Sequence, residues 1–364
     1  MGKTLPHVRT LRESGLTPDR FRADSGLKNH QIMELLITGS TGFVGRNLLL
    51  HLRRHPKWSR IYLPVRDPEK LRAQLQEEGI EGDERFVITR VSGDLWELPP
   101  GANPDVAIHA AGLLFGRRRE DYFRTNVEGT LRLTAQLPRT ARVIVLSSLA
   151  AGGPTPRGTG ARAAEHEDRP VSYYGASKLT MERELRNRLG RRLLILRPPM
   201  VLGPRDGATV PLFQMAKGAV RIKPGFAAKH YSWIDVDDLC RAILAVLSTD
   251  WDRVGQYGPF YLGSEETITD SELIATAAEV IDARGVTLSA PQLAIRLAAL
   301  VIDAVPAWRA AAPSLGRDRV REILPSRWVC DANPFSRNFG WKPSKKLRET
   351  LGETAVWLKN EGKI

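Results

Sequence analysis

Apolar segments that alternate with helical patterns between residues 33 and 199 restrict the fold of this chain more than any other feature. Helical spacing of apolar side chains occupies residues 42–55, 68–79 and 119–137. Apolar runs of strand length lie between and around these helices, at residues 33–39, 61–65, 85–95, 105–112, 141–148 and 192–199. Apolar strands separated by helices form a buried parallel sheet, which binds ligands at the carboxyl ends of its strands. The pattern therefore predicts an α/β fold with a doubly wound parallel sheet.

A glycine-rich loop, TGSTGFVG at residues 38–45, connects the first predicted strand to the first predicted helix. In such a loop Gly39 permits a tight turn, Gly42 lets the backbone approach a pyrophosphate, and Gly45 lets the helix pack closely on the strand. The N–H groups at the start of the helix are then available to phosphate oxygens. We therefore expect residues 34–198 to form a Rossmann domain that binds NAD or NADP, with loop contacts from Gly39, Thr41, Gly42, Phe43, Val44 and Gly45.

The end of the second predicted strand bears on the choice between the two dinucleotides. An acidic residue at this position binds the ribose 2′-hydroxyl of NAD, whereas an arginine accommodates the 2′-phosphate of NADP. The sequence is LPVRDP, so Arg66 precedes Asp67. Because a guanidinium group makes paired hydrogen bonds to phosphate, Arg66 favours NADP, with NAD as the alternative. Arg46 and Arg53 on the first helix are further candidates.

Two adjacent tyrosines stand close to a lysine in SYYGASK, residues 172–178. Side chains four residues apart share one face of a helix, whereas side chains five apart do not. The segment that follows has helical spacing and ends at Gly190. Tyr174 is therefore predicted to pair with Lys178, and Tyr173 is expected to pack elsewhere or to line a substrate pocket.

Composition excludes several classes of protein. The chain has 364 residues and a formal net charge of +13, but its basic residues are scattered and no aromatic and basic strip indicates nucleic-acid binding. Cys240 and Cys330 provide neither a disulfide framework nor metal-ligand spacing, so we expect no metal site and a reduced, cytoplasmic location.

No segment has the pattern of a transmembrane helix or of a secretory signal. Residues 292–308 are the most apolar, but Arg296, Asp303 and Pro306 interrupt them. They are predicted to form a helix that covers a pocket or the core, with peripheral membrane contact as the weaker alternative. Residues 1–33 are polar and basic, and we expect them to form a disordered extension.

Further motifs occur in the order and spacing of a known family. The chain is identified as similar to the extended short-chain dehydrogenase/reductases, often described as NAD-dependent epimerase/dehydratases. The resemblance extends from about residue 34 to the C-terminus and is carried by TGSTGFVG, GDL at 93–95, HAAG at 109–112, NVEGT at 126–130, LSS at 146–148, YGASK at 174–178, RPPMVLGPRD at 197–206, WIDVDDLCRAI at 233–243 and FGWKPSKKLRETL at 339–351.

The resemblance implies a role for each matching residue. Ser148, Tyr174 and Lys178 match the catalytic serine, tyrosine and lysine, with Ser147 as the alternative serine, and Asn126 matches a residue that supports the active site. The residues that match cofactor contacts are Arg66, Asp94, Leu95, Ala110, Ala111, Gly112, Pro198 and Val201. Of these, Asp94 would hydrogen-bond the adenine, and Pro198 and Val201 would lie near the nicotinamide.

The chemistry of these residue types agrees with those roles. Free tyrosine has a pKa near 10, and a neighbouring lysine ammonium together with a cationic nicotinamide is expected to lower it. Tyr174 would then exchange a proton with a substrate oxygen that Ser148 holds, while Lys178 reaches the ribose hydroxyls. Hydride transfer itself is the chemistry of the cofactor.

Residues 199–330 are predicted to form a smaller, mostly helical substrate-binding region, and residues 331–364 a C-terminal segment that packs back on the fold. Sugar-nucleotide relatives carry an Arg-Asp-aromatic triplet at the position of Tyr231, Ser232 and Trp233. This chain therefore lacks the arginine. Lys229 and His230 are possible replacements. No acidic residue follows Ser148 in Leu149–Gly153, which argues against sugar dehydration. The loop at residues 152–170 is either a flap over the site or a disordered insertion.

Apolar residues dominate the rest of the predicted substrate-binding region. This pattern resembles the 3β-hydroxysteroid dehydrogenase and dihydroflavonol reductase branch of the family. The leading hypothesis is therefore an oxidoreductase acting on a ketone or secondary alcohol of a steroid-, flavonoid- or isoprenoid-like substrate. A nucleotide-sugar epimerase with tightly bound NAD is the alternative, and Lys229, Arg205 and Arg317 would then hold a diphosphate. A non-catalytic NADP-binding regulatory protein is a third hypothesis. The chain is expected to be a homodimer or a monomer.

Overall fold

A seven-stranded parallel sheet organises the computed structural model, which describes residues 33–92, 97–249, 259–305 and 316–364. The order across the sheet is β3-β2-β1-β4-β5-β6-β11, so the strand order reverses beside β1. This arrangement confirms the predicted doubly wound fold. The strands of this sheet are β1 (Met33–Thr38), β2 (Trp58–Val65), β3 (Phe86–Arg90), β4 (Val106–His109), β5 (Arg142–Leu146), β6 (Leu193–Arg197) and β11 (Phe260–Tyr261).

Helices cover both faces of the sheet. They are α1 (Phe43–Leu52), α2 (Pro68–Glu77), α3 (Arg119–Phe123), α4 (Gly129–Gln136), α5 (Leu149–Gly152) and α6 (Tyr173–Leu189). A π-helical turn at Arg124–Glu128 joins α3 to α4. The helix predicted over residues 119–137 therefore exists, but its hydrogen-bond pattern changes in the middle. Residues 1–32, Asp94 and Leu95 lie outside the described residues.

Each central strand places alternate side chains on opposite faces. Leu35 and Ile37 of β1 lie in one hydrophobic cluster, and Leu36 lies in the other. Val143 and Ile144 of β5 divide in the same way between the two clusters. Because both faces are buried, the strand sequences are continuously apolar rather than alternating, which explains why they could be recognised.

The C-terminal half of the chain combines helices with short strands. Because we predict that it binds substrate, we refer to it as the substrate-binding half. The helices are α7 (Val210–Lys217), α8 (Val236–Leu247), α9 (Asp270–Glu279), α10 (Gln292–Ala304), α11 (Arg317–Ile323), α12 (Asn333–Phe339) and α13 (Leu347–Asn360). The strands form the pair β7 (Met200–Leu202) with β10 (Trp233–Asp235), the pair β8 (Val220–Pro224) with β13 (Val286–Ala290), and a group of β9 (His230–Tyr231), β12 (Ile268–Thr269) and β14 (Arg327–Trp328).

A separate hydrophobic cluster lies in this half. Phe213 and Trp233 are fully buried in it, together with Leu351 and Leu358 of α13. Their positions as core residues make them unavailable as walls of a substrate pocket. Because α13 contributes to the cluster, the C-terminal segment packs on the substrate-binding half.

The loop at residues 152–170 is held by many hydrogen bonds. The buried guanidinium of Arg162 donates to the carbonyls of Pro154, at 2.8 Å, and Glu167, at 3.1 Å. Its backbone N–H donates to Val329 O at 2.8 Å. The interpretation of this loop as a disordered insertion is therefore wrong.

Candidate active site

The glycine loop makes a turn that only glycine can occupy without strain. Gly39 has a φ of +76°, and a methyl group there would lie 2.7 to 2.9 Å from the backbone of Ala110 and Ala111. A methyl group on Gly45 would lie 2.1 Å from Gly39 O. The loop therefore packs directly on the end of β4 and leaves a shallow cradle for a dinucleotide.

The start of α1 provides the phosphate side of this cradle. Gly42 is exposed at the N-cap, and no side chain caps the helix there. Thr41, Phe43 and Val44 are partly buried beside it. The first-turn N–H groups can therefore donate to phosphate oxygens, as the sequence predicts.

The residue that follows β2 is an exposed arginine, Arg66. Its neighbour Asp67 is the N-cap of α2, where its carboxylate accepts a hydrogen bond from the N–H of Lys70 at 3.1 Å. The acidic side chain is thus used within the protein, which leaves Arg66 as the better candidate for contact with the ribose of a cofactor.

A second arginine, which the sequence analysis did not select, lies beside Arg66. Arg90 ends β3 and its guanidinium donates to Arg66 O at 3.1 Å. Arg46, by contrast, forms ion pairs with Glu77 and Glu78. The positive charge at the carboxyl ends of β2 and β3 therefore comes from Arg66 and Arg90.

Ser148, Tyr174 and Lys178 come together at the end of β5. The Ser148 hydroxyl lies beside the Tyr174 phenol and acts to lower its pKa. Lys178 is buried, and its ammonium donates to Leu146 O at 2.9 Å. Tyr173 instead points to the surface, where its ring lies 5.4 Å from the Arg321 guanidinium. Tyr174 is partly buried and Lys178 is buried, so the two tyrosines differ in environment, and the pairing of Tyr174 with Lys178 stays a prediction.

The pKa of Tyr174 differs from the expectation. Burial and the negative charge of Glu322 raise it to about 12, and these effects exceed the opposing hydrogen bond from Ser148. Burial also lowers the pKa of Lys178 to about 8. The predicted lowering of the Tyr174 pKa by Lys178 is thus absent, because removal from water disfavours the phenolate. This tyrosine therefore retains its proton at neutral pH.

Asn126 holds the end of β4 against helix α6. Its amide accepts from the N–H of Leu113 at 2.7 Å and donates to the carbonyl of the same residue at 3.1 Å. It also donates to Ser177 Oγ at 2.9 Å. Asn126 lies in the π-helical turn, a conformation often found at functional sites. It is a positioning residue, because it orients the Gly112–Leu113 segment beside Lys178.

The remaining predicted cofactor residues lie around the same cleft. Gly112 is exposed, and a methyl group on it would lie 3.0 Å from Lys178 Nζ. Pro198 is buried and accepts a hydrogen bond from Leu149 N, next to Ser148, at 2.9 Å. Val201 is partly buried in β7. These positions are compatible with a nicotinamide site between β4, β5 and β6.

Ser147 is not available for catalysis. Its hydroxyl donates to the buried carboxylate of Glu182, which also accepts from the Arg197 guanidinium at 2.6 and 2.9 Å. Arg197 is fully buried and makes two further hydrogen bonds to Asp168, at 2.6 and 2.9 Å. The charge of Glu182 in turn raises the pKa of Lys178, against the larger effect of burial. Arg197, the one charged residue of the apolar strand β6, was the sequence signal for this buried group of charged side chains.

Helix α11 lies over Tyr174, and sequence reasoning did not place it there. Glu322 accepts a hydrogen bond from Ser172 Oγ and pairs with Arg319. Asp318 accepts from Tyr173 N at 2.7 Å. Burial raises the pKa of Glu322, which is held among these groups. The helix therefore brings charges to Tyr174 from a distant part of the chain.

Glu322→Gln is expected to shift the pH dependence of the reaction rate toward lower pH. The substitution removes the negative charge that raises the pKa of Tyr174, so the phenolate forms at lower pH. A fall of half a pKa unit would raise the phenolate fraction, and the rate of alcohol oxidation near pH 9, about threefold. Glu184→Gln, on the exposed side of α6, serves as the control and should leave the profile unchanged. Identical profiles for both variants would contradict the assigned role of Glu322.

The three cations suggested for a substrate diphosphate have other partners. Lys229 is buried and donates to Ile323 O at the end of α11. Arg205 pairs with Glu78, and Arg317 pairs with Asp303 at 2.9 Å. These contacts do not form a common anion site.

The described ranges contain no group of three or more His, Cys, Asp or Glu side chains able to hold a metal ion. Within the same part of the chain, none of the helices has the length and apolar character needed to cross a bilayer.

A family model places the chain among known proteins. Residues 35–257 match the NAD dependent epimerase/dehydratase family, so the chain belongs to that family and is an enzyme of the oxidoreductase and epimerase type. This agrees with the resemblance seen in the sequence motifs.

The curated relatives include reductases. Ceramide reductase of Caulobacter vibrioides is 29% identical over 330 residues, which cover 90% of this chain and 94% of that protein. A Synechocystis sp. protein provisionally named dihydroflavonol 4-reductase is 26% identical over 341 residues, covering 90% of this chain and 95% of the relative.

Among solved structures, the UDP-glucuronic acid 4-epimerase of Bacillus cereus, in complex with UDP-glucuronic acid and NAD, has a TM-score of 0.67. It is 17% identical and covers 90% of this chain and 100% of its own. The likeness shows that the two proteins share a fold.

Proposed function

We propose that this enzyme is an NADP-preferring reductase that converts a ketone on an apolar, lipid-like substrate to a secondary alcohol. The observation that carries the proposal is the group of Ser148, Tyr174 and Lys178 at the end of β5, with a tyrosine that keeps its proton. Reduction of a ketone consumes one hydride and one proton, and Tyr174 is suited to give the proton.

Each residue has a separate part in the proposed reaction. Ser148 donates a hydrogen bond to the substrate carbonyl oxygen and fixes it beside Tyr174. Tyr174 protonates that oxygen as negative charge develops on it. Lys178, protonated below its pKa of about 8, binds the ribose hydroxyls and offsets the charge left on Tyr174. A bound nicotinamide cofactor supplies the hydride.

The chain's own residues fit that cofactor. The glycine cradle would accommodate the pyrophosphate, and Ala110, Ala111 and Gly112 would border the ribose and nicotinamide. Arg66 and Arg90 would contact a 2′-phosphate, because both extend from the carboxyl ends of neighbouring strands. Their charge supports NADP over NAD, although the compared structure contains NAD.

The substrate class is inferred from the residue types and the apolar character of the substrate-binding half. The arginine that sugar-nucleotide relatives carry is replaced by Tyr231, and the nearby cations are engaged within the protein. Burial strongly raises the pKa of Tyr231, which indicates an apolar environment. The C. vibrioides relative is named for an activity on ceramide, a lipid, which supports a long-chain substrate.

Arg66→Ala is expected to weaken NADPH binding about tenfold or more, because one charge-assisted contact to phosphate is lost. NADH affinity should change less than about twofold, since NADH has no 2′-phosphate. Arg72→Ala, another exposed arginine on the nearby α2, is the matched control. Fluorescence titration of both nucleotides measures the effect. Equal losses for NADPH and NADH would contradict the NADP assignment.

The substrate proposal is tested by activity screening. NADPH oxidation is measured with long-chain ketones, ketosteroids and flavanonols, and the same preparation is assayed for epimerisation of UDP- and dTDP-sugars. Reduction of an apolar ketone that disappears in Tyr174→Phe supports the proposal. Epimerisation with NAD that co-purifies would overturn it in favour of the nucleotide-sugar alternative, and NADPH binding with no turnover would favour a regulatory role.

A further inference from the structure

A two-stranded ribbon in the substrate-binding half presents its apolar side chains to solvent. Val220 and Ile222 of β8 pair in register with Val286 and Leu288 of β13. All four side chains are 47 to 59% exposed. Isolated apolar residues on a surface are common, but a block of four in adjacent register positions marks an interaction surface.

The charged residues of the same ribbon are directed inward. Arg221 is buried and donates to the carbonyls of Ala216 and Ala283, both at 2.9 Å. Lys223 is buried and pairs with Asp270 at 3.5 Å. A strand with one solvent-exposed face normally places polar residues on that face and apolar residues on the buried face. In this ribbon the placement is reversed. Because its cations are anchored within the protein, the ribbon cannot turn its aliphatic side chains inward.

The ribbon continues into helix α10, which is also apolar on its outer face. Leu293, Leu297, Leu300 and Val301 are 46 to 67% exposed, whereas Ala299 is the buried residue of this helix. The expectation that this segment covers the core is therefore wrong for its described residues, and the expectation that it covers a pocket stays a prediction. Its apolar stripe is directed away from the protein.

The ribbon and helix α10 meet at the turn that follows β8. Gly225, directly after β8, donates its N–H to Ala290 O at the end of β13, at 2.8 Å. Phe226 follows and is 74% exposed. Gln292 starts α10 beside the same glycine, at 3.7 Å from the position of an added methyl group. We call the outer side chains of β8, β13 and α10, with Phe226, the apolar surface.

The charges that flank the apolar surface in the chain are mostly positive, with Asp282 as an exposed acidic residue before β13. Lys217, Arg284 and Arg296 are exposed at its borders. The carboxylate of α10, Asp303, is nearly buried and pairs with Arg317. In the described residues of β8, β13 and α10 there is no exposed acidic side chain. The chain as a whole carries a net charge of +13, so two copies would repel each other at this surface.

We propose that the apolar surface docks on a lipid bilayer that contains anionic phospholipid. Aliphatic and aromatic side chains enter the boundary between headgroups and acyl chains, and the bordering cations interact with the negative headgroups. Helix α10 is joined to α11 by the Asp303–Arg317 pair, and α11 lies over Tyr174. The docked face is therefore connected to the active site. The proposal concerns the surface alone and stands whether or not the proposed substrate class is correct.

Vesicle flotation tests this proposal with the full chain. The wild-type protein is expected to float with phosphatidylcholine vesicles that contain phosphatidylglycerol, less with phosphatidylcholine alone, and less at high salt. Leu293→Asp combined with Leu297→Asp should reduce the partition coefficient at least about tenfold. Val356→Asp is the matched control, because Val356 is 60% exposed on α13, outside the apolar surface.

A second variant and a hydrodynamic measurement keep the test decisive. Ile222→Thr on the ribbon should also weaken flotation, and thermal unfolding of each variant confirms that it is folded. The proposal is overturned if the wild type does not bind anionic vesicles, or if the double variant binds as well as Val356→Asp. It is also overturned if sedimentation velocity shows a dimer that the double variant dissociates, without vesicle binding. The surface would then be an interface between copies.

Discussion

Tyr174→Phe is expected to lower kcat for ketone reduction about a thousandfold, while the affinity for NADPH changes less than about twofold. In the proposed reaction the phenol donates the proton, and general acid catalysis of this kind contributes roughly 10² to 10⁴ in rate. Its ring is retained in the variant, so the contact with Tyr122, at 6.3 Å between ring centroids, is preserved. Loss of the hydroxyl therefore removes chemistry with little effect on packing.

Tyr173→Phe is the control for this experiment. Tyr173 is next in the chain but is exposed against Arg321, so its hydroxyl should be dispensable. Single-turnover kinetics with saturating NADPH separates the chemical step from substrate binding. If Tyr174→Phe retained most of the wild-type rate, neither the reductase nor the epimerase hypothesis could stand in its present form.

Arg197→Leu is expected to lower the free energy of unfolding by about 3 to 5 kcal/mol. The substitution leaves the carboxylates of Glu182 and Asp168 without the cation that compensates for their burial. The hydrogen bond that the Arg197 guanidinium donates to Tyr261 OH, at 2.8 Å, is lost as well. Urea denaturation measures the change.

Arg169→Leu is the matched control for Arg197→Leu. Arg169 also pairs with a carboxylate, Glu167, but both side chains are more than 70% exposed. Solvent screens such a pair, so its removal should cost less than about 1 kcal/mol. Similar losses for the two variants would show that the buried cluster contributes no more than a surface ion pair.

The sequence was sufficient where function depends on local spacing. The interval between Tyr174 and Lys178 determined which tyrosine faces the site. The position of Gly39 between a strand and a helix determined the cradle. These features depend on a few consecutive residues with fixed backbone geometry, so their pattern can be recognised without knowledge of tertiary contacts.

Features that depend on tertiary contacts could not be predicted in this way. Glu322 reaches Ser172 across 150 residues of chain, and no local pattern indicates that contact. The pKa of Tyr174 depends on how much water the fold removes, which spacing does not determine. For α10, the periodicity showed that one face is apolar but not whether the protein or another surface covers it.

The π-helical turn at Arg124–Glu128 makes the active site sensitive to chain length. Each residue in a helix rotates the following side chains by about 100°. Deleting one residue between α3 and Asn126 would convert the turn to regular helix and rotate the Asn126 amide away from Leu113 and Ser177. The spacing along this segment is thus as much a part of the active site as the side chains themselves, and insertions or deletions there should be tolerated less than substitutions.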